Sequence, residues 1–214
     1  MAYSDFTLAQ VRETFALAIE ENRRLFTEVK RVQPSERLLT DLNENKPLAI
    51  AINSEKARSE FLIAPILAEV RRQTHYQASL FSGVAFTVAP EQGLTGFCDY
   101  ILSRSKEQYY ITVPVAIIVE AKNENIIAGL GQCIAAMVAA QLFNQRAGHL
   151  IPTIYGAVTT GTNWKFITLS NSPGEPQHQS LVNIDVDEYY INQIEMILGI
   201  LLQPLQFENQ EVAA

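Results

Sequence analysis

The chain is poor in the residues that build soft-ligand metal centres. Its 214 residues include two cysteines, Cys98 and Cys133, and three histidines, His75, His149 and His178. No thiolate or imidazole cluster can be assembled from these at recognised spacings, and two cysteines do not make a disulfide framework. Any bound metal is therefore expected on oxygen ligands. Positive charge is also scarce. A net charge of −7 excludes a broad basic surface for nonspecific nucleic-acid binding, although it leaves room for a local basic groove. Basic residues do cluster, at Arg23, Arg24, Lys30 and Arg31 and again at Arg71 and Arg72, but such runs on helices usually form solvated faces. The N-terminus, MAYSDFTLAQVRETF, lacks the basic segment and apolar block of a secretory signal, which points to the cytoplasm. Only the segment from Ile126 to Phe143 approaches the length of a membrane span. It carries Gln132 and Gln141 and reads as a buried helix, so no membrane association is expected.

What is present is apolar sequence in quantity. At 48% apolar content the chain can bury a sizeable core, and one domain over 1–214 is expected. A helix capped by Ser4 or Asp5 is expected to reach about Lys30, followed by a short helical stretch from Glu36 to Asn43, so that 1–50 form a helical extension. Pro47 follows that stretch, and LAIAI after it reads as a strand or an approach to the next helix. A second long helix opens at Ser54 and reaches about Arg72, with Pro65 inside it. Between Tyr76 and Lys122 the pattern changes to three strands in an antiparallel meander, in which Pro114 delays full pairing of the third. The buried helix from Ile126 to Arg146 follows, then two strands joined by Gly161-Thr162-Asn163, a polar loop SNSPGEPQHQ, a helix from Asp187 to Leu202 and a frayed acidic tail. The fold class is α/β (α+β): a central mixed sheet flanked by helices, with a core over 54–170 and a C-terminal helix over 185–205.

The segment Val115 to Lys122, VAIIVEAK, carries the chemistry. Five apolar residues read as a strand buried on both faces, and the run ends in two charges. Side chains alternate along a strand, so Glu120 and Lys122 point to the same side. An ionised pair at the end of a core strand is costly unless compensated, and a bound cation with a substrate phosphate is one compensation. Glu-x-Lys alone is weak. The same pattern occurs at Glu28-Val29-Lys30, where a helix would turn the two charges apart.

Other polar residues sit where apolar ones are expected. Asp99 interrupts the strand GFCDYIL, Gln132 lies near the start of the apolar helix IIAGLGQCIAAMVAAQ, and Glu60 occupies an early turn of the second long helix. The order resembles the PD-(D/E)XK nuclease superfamily, with its restriction-endonuclease-like fold. In that family an acidic helix residue precedes a strand aspartate, a Glu-x-Lys strand end and a glutamine near the start of the next helix. The corresponding residues here are Glu60, Asp99, Glu120 with Lys122, and Gln132, within about Ser54 to Leu169. Cys98 stands where the family usually has proline. The resemblance implies Mg²⁺- or Mn²⁺-dependent hydrolysis of DNA phosphodiesters, with the metal on Asp99, Glu120, the backbone carbonyl of Ala121 and Glu60. Lys122 would orient a water or balance developing charge, and Gln132 would hold the nucleophile or the lysine.

Each residue also has a plainer role open to it. Glu60 suits a surface carboxylate of an early helical turn, Asp99 a pairing with Arg58, the Glu120–Lys122 pair a structural salt bridge, and Gln132 a buried carbonyl. Fold alone does not assign function. The alternative is a catalytically silent nuclease-like protein serving as a binding or assembly subunit. A homodimer through ILGILLQPLQF would suit cleavage of both strands, although packing of that segment on its own domain is the simpler use.

Overall fold

Eight strands share one sheet in the computed structural model, which describes residues 1–171 and 180–206. They are β1 (Ala18–Arg23), β2 (Ser79–Ala85), β3 (Phe97–Ser103), β4 (Val115–Ala121), β5 (Thr153–Thr159), β6 (Asn163–Asn171), β7 (Ser180–Asp185) and β8 (Tyr189–Tyr190). The spatial order is β1-β7-β6-β5-β4-β3-β2, with β8 paired to β6. Strands β2 to β4 form the expected antiparallel meander. Strands β4 and β5 run parallel, joined by a helical crossover of the kind parallel pairing requires. The sheet is therefore mixed.

Helices cover both faces. Helix α1 (Leu8–Thr14) and helix α5 (Ile126–Arg146) pack on one. On the other lie α2 (Glu36–Ile52), α3 (Glu55–Arg58), α4 (Ala64–Gln73) and α6 (Ile194–Leu202). Every residue of β4 is buried, and its alternation divides the core. Ile118 joins the cluster around α5, whereas Ile117 and Val119 join the cluster beneath α4 and α6. Helix α5 is apolar and long enough to cross a membrane by length and composition, but here it packs against β4 and β5. The apolar residues of α6, Ile197, Leu198, Ile200 and Leu201, are spent on the parent core.

Several local expectations are corrected. The first helix is capped by Thr7 and stops at Thr14, and Ala18–Arg23 forms an edge strand parallel to β7. That strand, AIEENR, is mostly exposed and is held by backbone pairing rather than an apolar face, which is why periodicity misreads it. Glu28-Val29-Lys30 consequently lies in a loop, and 1–50 are not a purely helical extension. Helix α2 runs through Pro47 to Ile52. Asn43, whose carbonyl loses its partner to Pro47, and Pro47 itself are exposed, so the break in the ladder lies on the solvent side of the helix. Pro65 does not end the next helical segment either, because a π turn over Ser59–Ile63 resets the hydrogen-bond ladder just before it. The helix expected from Asp187 begins at Ile194, after β8 and a short 3-10 turn, and Ser180–Asp185, between the polar loop and that helix, forms strand β7. Residues 172–179 of the polar loop and the acidic tail from 207 onward lie outside the described residues.

Candidate active site

Strand β4 delivers its two charges at the end of a fully buried run. The Lys122 ammonium lies 2.5 Å from Glu120 Oε1 and 3.4 Å from Gln132 Oε1 on α5. Lys122 N–H donates to the Thr159 carbonyl at 2.8 Å, which holds the strand end against β5. On β3, Asp99 Oδ2 accepts the Ala121 N–H at 2.8 Å, tying its carboxylate to the peptide between the two charged residues. Asp99, Glu120, Lys122 and Gln132 are thus brought together at one strand end. Asp99 is not paired with Arg58.

Beside them opens a cleft of about 240 Å³ lined by Glu55, Lys56, Ser59, Ser82, Gly83, Asp99 and Ala121. Glu60 is not in its lining. Its carboxylate pairs with Lys56 at 2.7 Å on the helix surface, with about half of its side chain exposed. The acidic helix residue that faces the strand end is Glu55, whose charge reaches both Glu120 and Lys122. Ser54 caps the helix and places Glu55 in its first turn, where the dipole favours a carboxylate. Glu55 and Ser59 share a face at i,i+4 spacing, a signal present in the sequence but without meaning until the facing strand is known. The Ser59 hydroxyl lies 2.6 Å from Tyr100 Oη, which ties this helix face to β3.

Electrostatics at this strand end are unbalanced. The carboxylates of Glu55, Asp99 and Glu120 outnumber the Lys122 ammonium, Lys56 at the cleft is matched by Glu60, and the buried Arg58 guanidinium stands behind, so one negative charge is in excess when all are ionised. Burial, and then the Asp99 charge, push the Glu120 carboxyl up to about 8 despite the adjacent lysine. Burial alone would lower the Lys122 pKa, but the charges of Glu120, Glu55 and Asp99 outweigh it and raise the value. Cys98 is no nucleophile here. It is buried, and burial together with the Glu120 and Asp99 charges pushes its thiol up to about 12.

Two carboxylates and the carbonyl of Ala121 are a partial oxygen set of the kind Mg²⁺ accepts while keeping several waters. Among the described residues no three acidic, histidine or cysteine side chains already converge at metal-binding distance. The charge excess fits a divalent cation. The Lys122 ammonium would have to yield part of its hold on Glu120 to admit one.

Arg58 braces the site from behind. Its guanidinium is buried and donates to Asn123 Oδ1, the Thr160 carbonyl and Asn53 Oδ1, at 3.2, 3.2 and 3.1 Å. It therefore joins α3, the residue following Lys122 and the β5–β6 turn. Gly129 of α5 has a second positioning role. A Cβ there would lie 2.6 Å from Val158 Cγ1, 3.1 Å from Lys122 Cε and 3.2 Å from Lys122 Cγ, so the lysine stem crosses the helix where a side chain is missing. Gly129→Ala is expected to press first on Val158 and then on the lysine stem, displacing the ammonium and costing about 2 kcal/mol, or roughly 4–8 °C in melting temperature. Thermal melts of the variant check this, and an unchanged melting temperature would remove the positioning role. Trp164 and Tyr155, aromatic residues of strands, belong to the core: Trp164 stacks on Phe166 with ring centroids 6.0 Å apart, and Tyr155 packs against Phe26. No protein-family model and no curated protein matches the chain.

Proposed function

We propose that this protein is a divalent-cation-dependent nuclease of the PD-(D/E)XK type, hydrolysing DNA phosphodiesters at the end of β4. The observation that carries the reading is the meeting of Asp99 with Glu120 and Lys122 at the end of a buried strand, where the nearby carboxylates, Glu55 included, outnumber the Lys122 ammonium. Mg²⁺ or Mn²⁺, held by Asp99, Glu120 and the Ala121 carbonyl, would supply positive charge at the phosphoryl group and acidify water. Lys122 orients the attacking water or meets the charge developing on the phosphate. Gln132 steadies the ammonium from α5, and the Ala121 N–H fixes the rotamer of Asp99. Glu55, rather than Glu60, is placed to contribute a further carboxylate from the helix.

The alternative, a silent nuclease-like subunit that binds a protein partner, draws on the ion pair that occupies Glu120 and on the acidic net charge. The two readings differ in pH dependence. Glu120 must ionise to bind a cation, so oligonucleotide cleavage at limiting Mg²⁺ is expected to rise with pH through a midpoint near 8 and to level off about one unit above it. The apparent midpoint should move to lower pH as Mg²⁺ is raised. Absence of cleavage of both plasmid and single-stranded DNA at every pH between about 6 and 9 would favour the subunit.

A further inference from the structure

A second cleft lies along the same edge of the sheet. It measures about 310 Å³ and is lined by Arg37, Ala68, Arg71, Arg72, Tyr76, Leu80 and Gln108. Three guanidinium groups converge on it from α2 and α4, on a chain with seven net negative charges. They are not equivalent. Arg72 is neutralised by the buried Glu69 at 2.7 Å, and Arg37 has only a long contact, 3.9 Å, to Asp41. Arg71 has no ion pair within 4.0 Å among the described residues. Its Nε is buried with no hydrogen-bond partner there, and its guanidinium stacks on Tyr76, 4.9 Å from the ring centre. A buried donor left unpaired is costly, and it marks a guanidinium whose hydrogen-bonding capacity the fold itself leaves unused.

The backbone beside it is strained. His75 and Tyr76 occupy the left-handed region in succession, at φ 52° and 60°, a conformation uncommon for residues of this size. That pair turns the chain out of α4 and sets the Tyr76 ring under Arg71. Strain of this kind persists where the surrounding structure over-determines it, often at ligand clamps. Gln108 is fixed as well, bonding both the N–H and the carbonyl of Leu80 on edge strand β2 at 3.2 and 2.7 Å.

The position relates this cleft to the candidate active site. Leu80 lines the arginine cleft and Ser82 lines the carboxylate cleft. Two residues apart on one strand, they project from the same face, with Cα atoms roughly 7 Å apart. The α3–α4 segment borders both clefts, through Ser59 at one and Arg71 at the other. Two clefts therefore follow one another along β2, one with carboxylates suited to a cation and one with arginines suited to an anion.

We propose that Arg71, with Arg37 beside it, binds a backbone phosphate of the nucleic acid a few nucleotides from the one at the carboxylate cleft. This rests on the nuclease reading for the identity of the ligand, whereas the anion site itself does not. Guanidinium groups offer forked donors that match phosphate oxygens, and Tyr76 holds the Arg71 plane in place. Arg71→Gln is expected to weaken binding of a fluorescent single-stranded oligonucleotide, measured in EDTA, by roughly tenfold, in line with loss of one charge-assisted contact. The slope of log K against log salt should fall by about 0.7. Arg71→Lys should recover part of the affinity and the slope, a result that a purely structural role for Arg71 does not give. With Mg²⁺ present, KM should rise while kcat is unchanged.

Inorganic phosphate and a dinucleotide serve as competitors. Displacement by the dinucleotide well below the concentration needed for phosphate identifies a polymer backbone as the ligand, whereas equal displacement identifies a free phosphate and overturns the backbone assignment. Oligonucleotide binding that depends on Arg71 without any cleavage would sustain this site and sink the nuclease reading. Wild-type affinity and salt slope retained in Arg71→Gln, or no oligonucleotide binding by the wild type, would overturn it.

Discussion

Glu120→Gln is expected to abolish metal-dependent cleavage and, at the same time, to raise the melting temperature at pH 8 without added metal. The two effects share one cause. In the folded chain the Glu120 carboxyl titrates near 8, against an ordinary value of 4.5, because it is buried beside Asp99. The native state therefore binds this proton more tightly than the unfolded chain does. Stability from this group is complete below about pH 4.5, declines as pH rises, and is lost once pH passes the folded value near 8. The amide carries no charge and avoids that loss. Allowing for the Lys122 contact it also weakens, the gain is on the order of 1–2 kcal/mol, or about 3–6 °C for a chain of this size. Cleavage should fall by about 1,000-fold or more, as an oxygen ligand becomes a weak neutral donor. Thermal melts across the pH range check the sign: the advantage of the variant should grow from pH 5 to pH 8. A variant destabilised at pH 8 would mean that Lys122 fully compensates the buried charge and that no cation is needed there.

Arg58→Ala carries the largest expected loss of stability. The guanidinium is buried, and its three hydrogen bonds reach Asn53, Asn123 and Thr160, which lie on separate segments. Truncation leaves the Thr160 carbonyl without this donor and opens a cavity beneath the helix. A cost of about 3 kcal/mol is expected, equivalent to a fall of roughly 6–12 °C. Because Asn123 follows Lys122 directly, cleavage should also weaken at temperatures where the variant remains folded. Arg58→Lys should recover little, since one ammonium cannot serve three acceptors spread around a planar fork. Denaturant unfolding of both variants provides the measurement, and a loss below about 1 kcal/mol would show that the three segments hold together without Arg58.

The parts of the fold that the sequence makes legible are those where burial dictates residue type. VAIIV has no solvent-facing side, and α5 is apolar over nearly its whole length, so both were recognisable with close boundaries. Strand parity correctly places Glu120 beside Lys122, because alternation along a strand needs no tertiary information. Strand β1 was illegible for the opposite reason: its side chains are polar and its partner, β7, lies about 160 residues away. The difference between Glu55 and Glu60 was also hidden. Both are early-turn carboxylates, and the strand end each faces depends on how the helix docks. Arg71 and Arg72 looked like one solvated pair, yet the fold neutralises one with a buried glutamate and leaves the Nε of the other unpartnered among the described residues.

Glu69 shows how burial and pairing are reconciled elsewhere in the same molecule. Burial would raise its pKa, but bonds from Arg72, Gln73 and Ser35 outweigh that and lower it. Glu120, almost equally buried, has one ammonium for a partner and two carboxylates for neighbours. A buried acid that is fully compensated serves the fold. One left short of positive charge marks the place where a cation is to be sought.

Isothermal titration of Mg²⁺ and Mn²⁺ into the wild type and a Glu120→Ala/Lys122→Ala variant, with plasmid and single-stranded DNA cleavage assayed on the same samples, tests the nuclease assignment most directly. The expected result is metal binding and cleavage in the wild type, with both lost together in a variant that stays folded. A folded wild type that neither binds metal nor cuts DNA would contradict the assignment and leave the binding-subunit reading in its place.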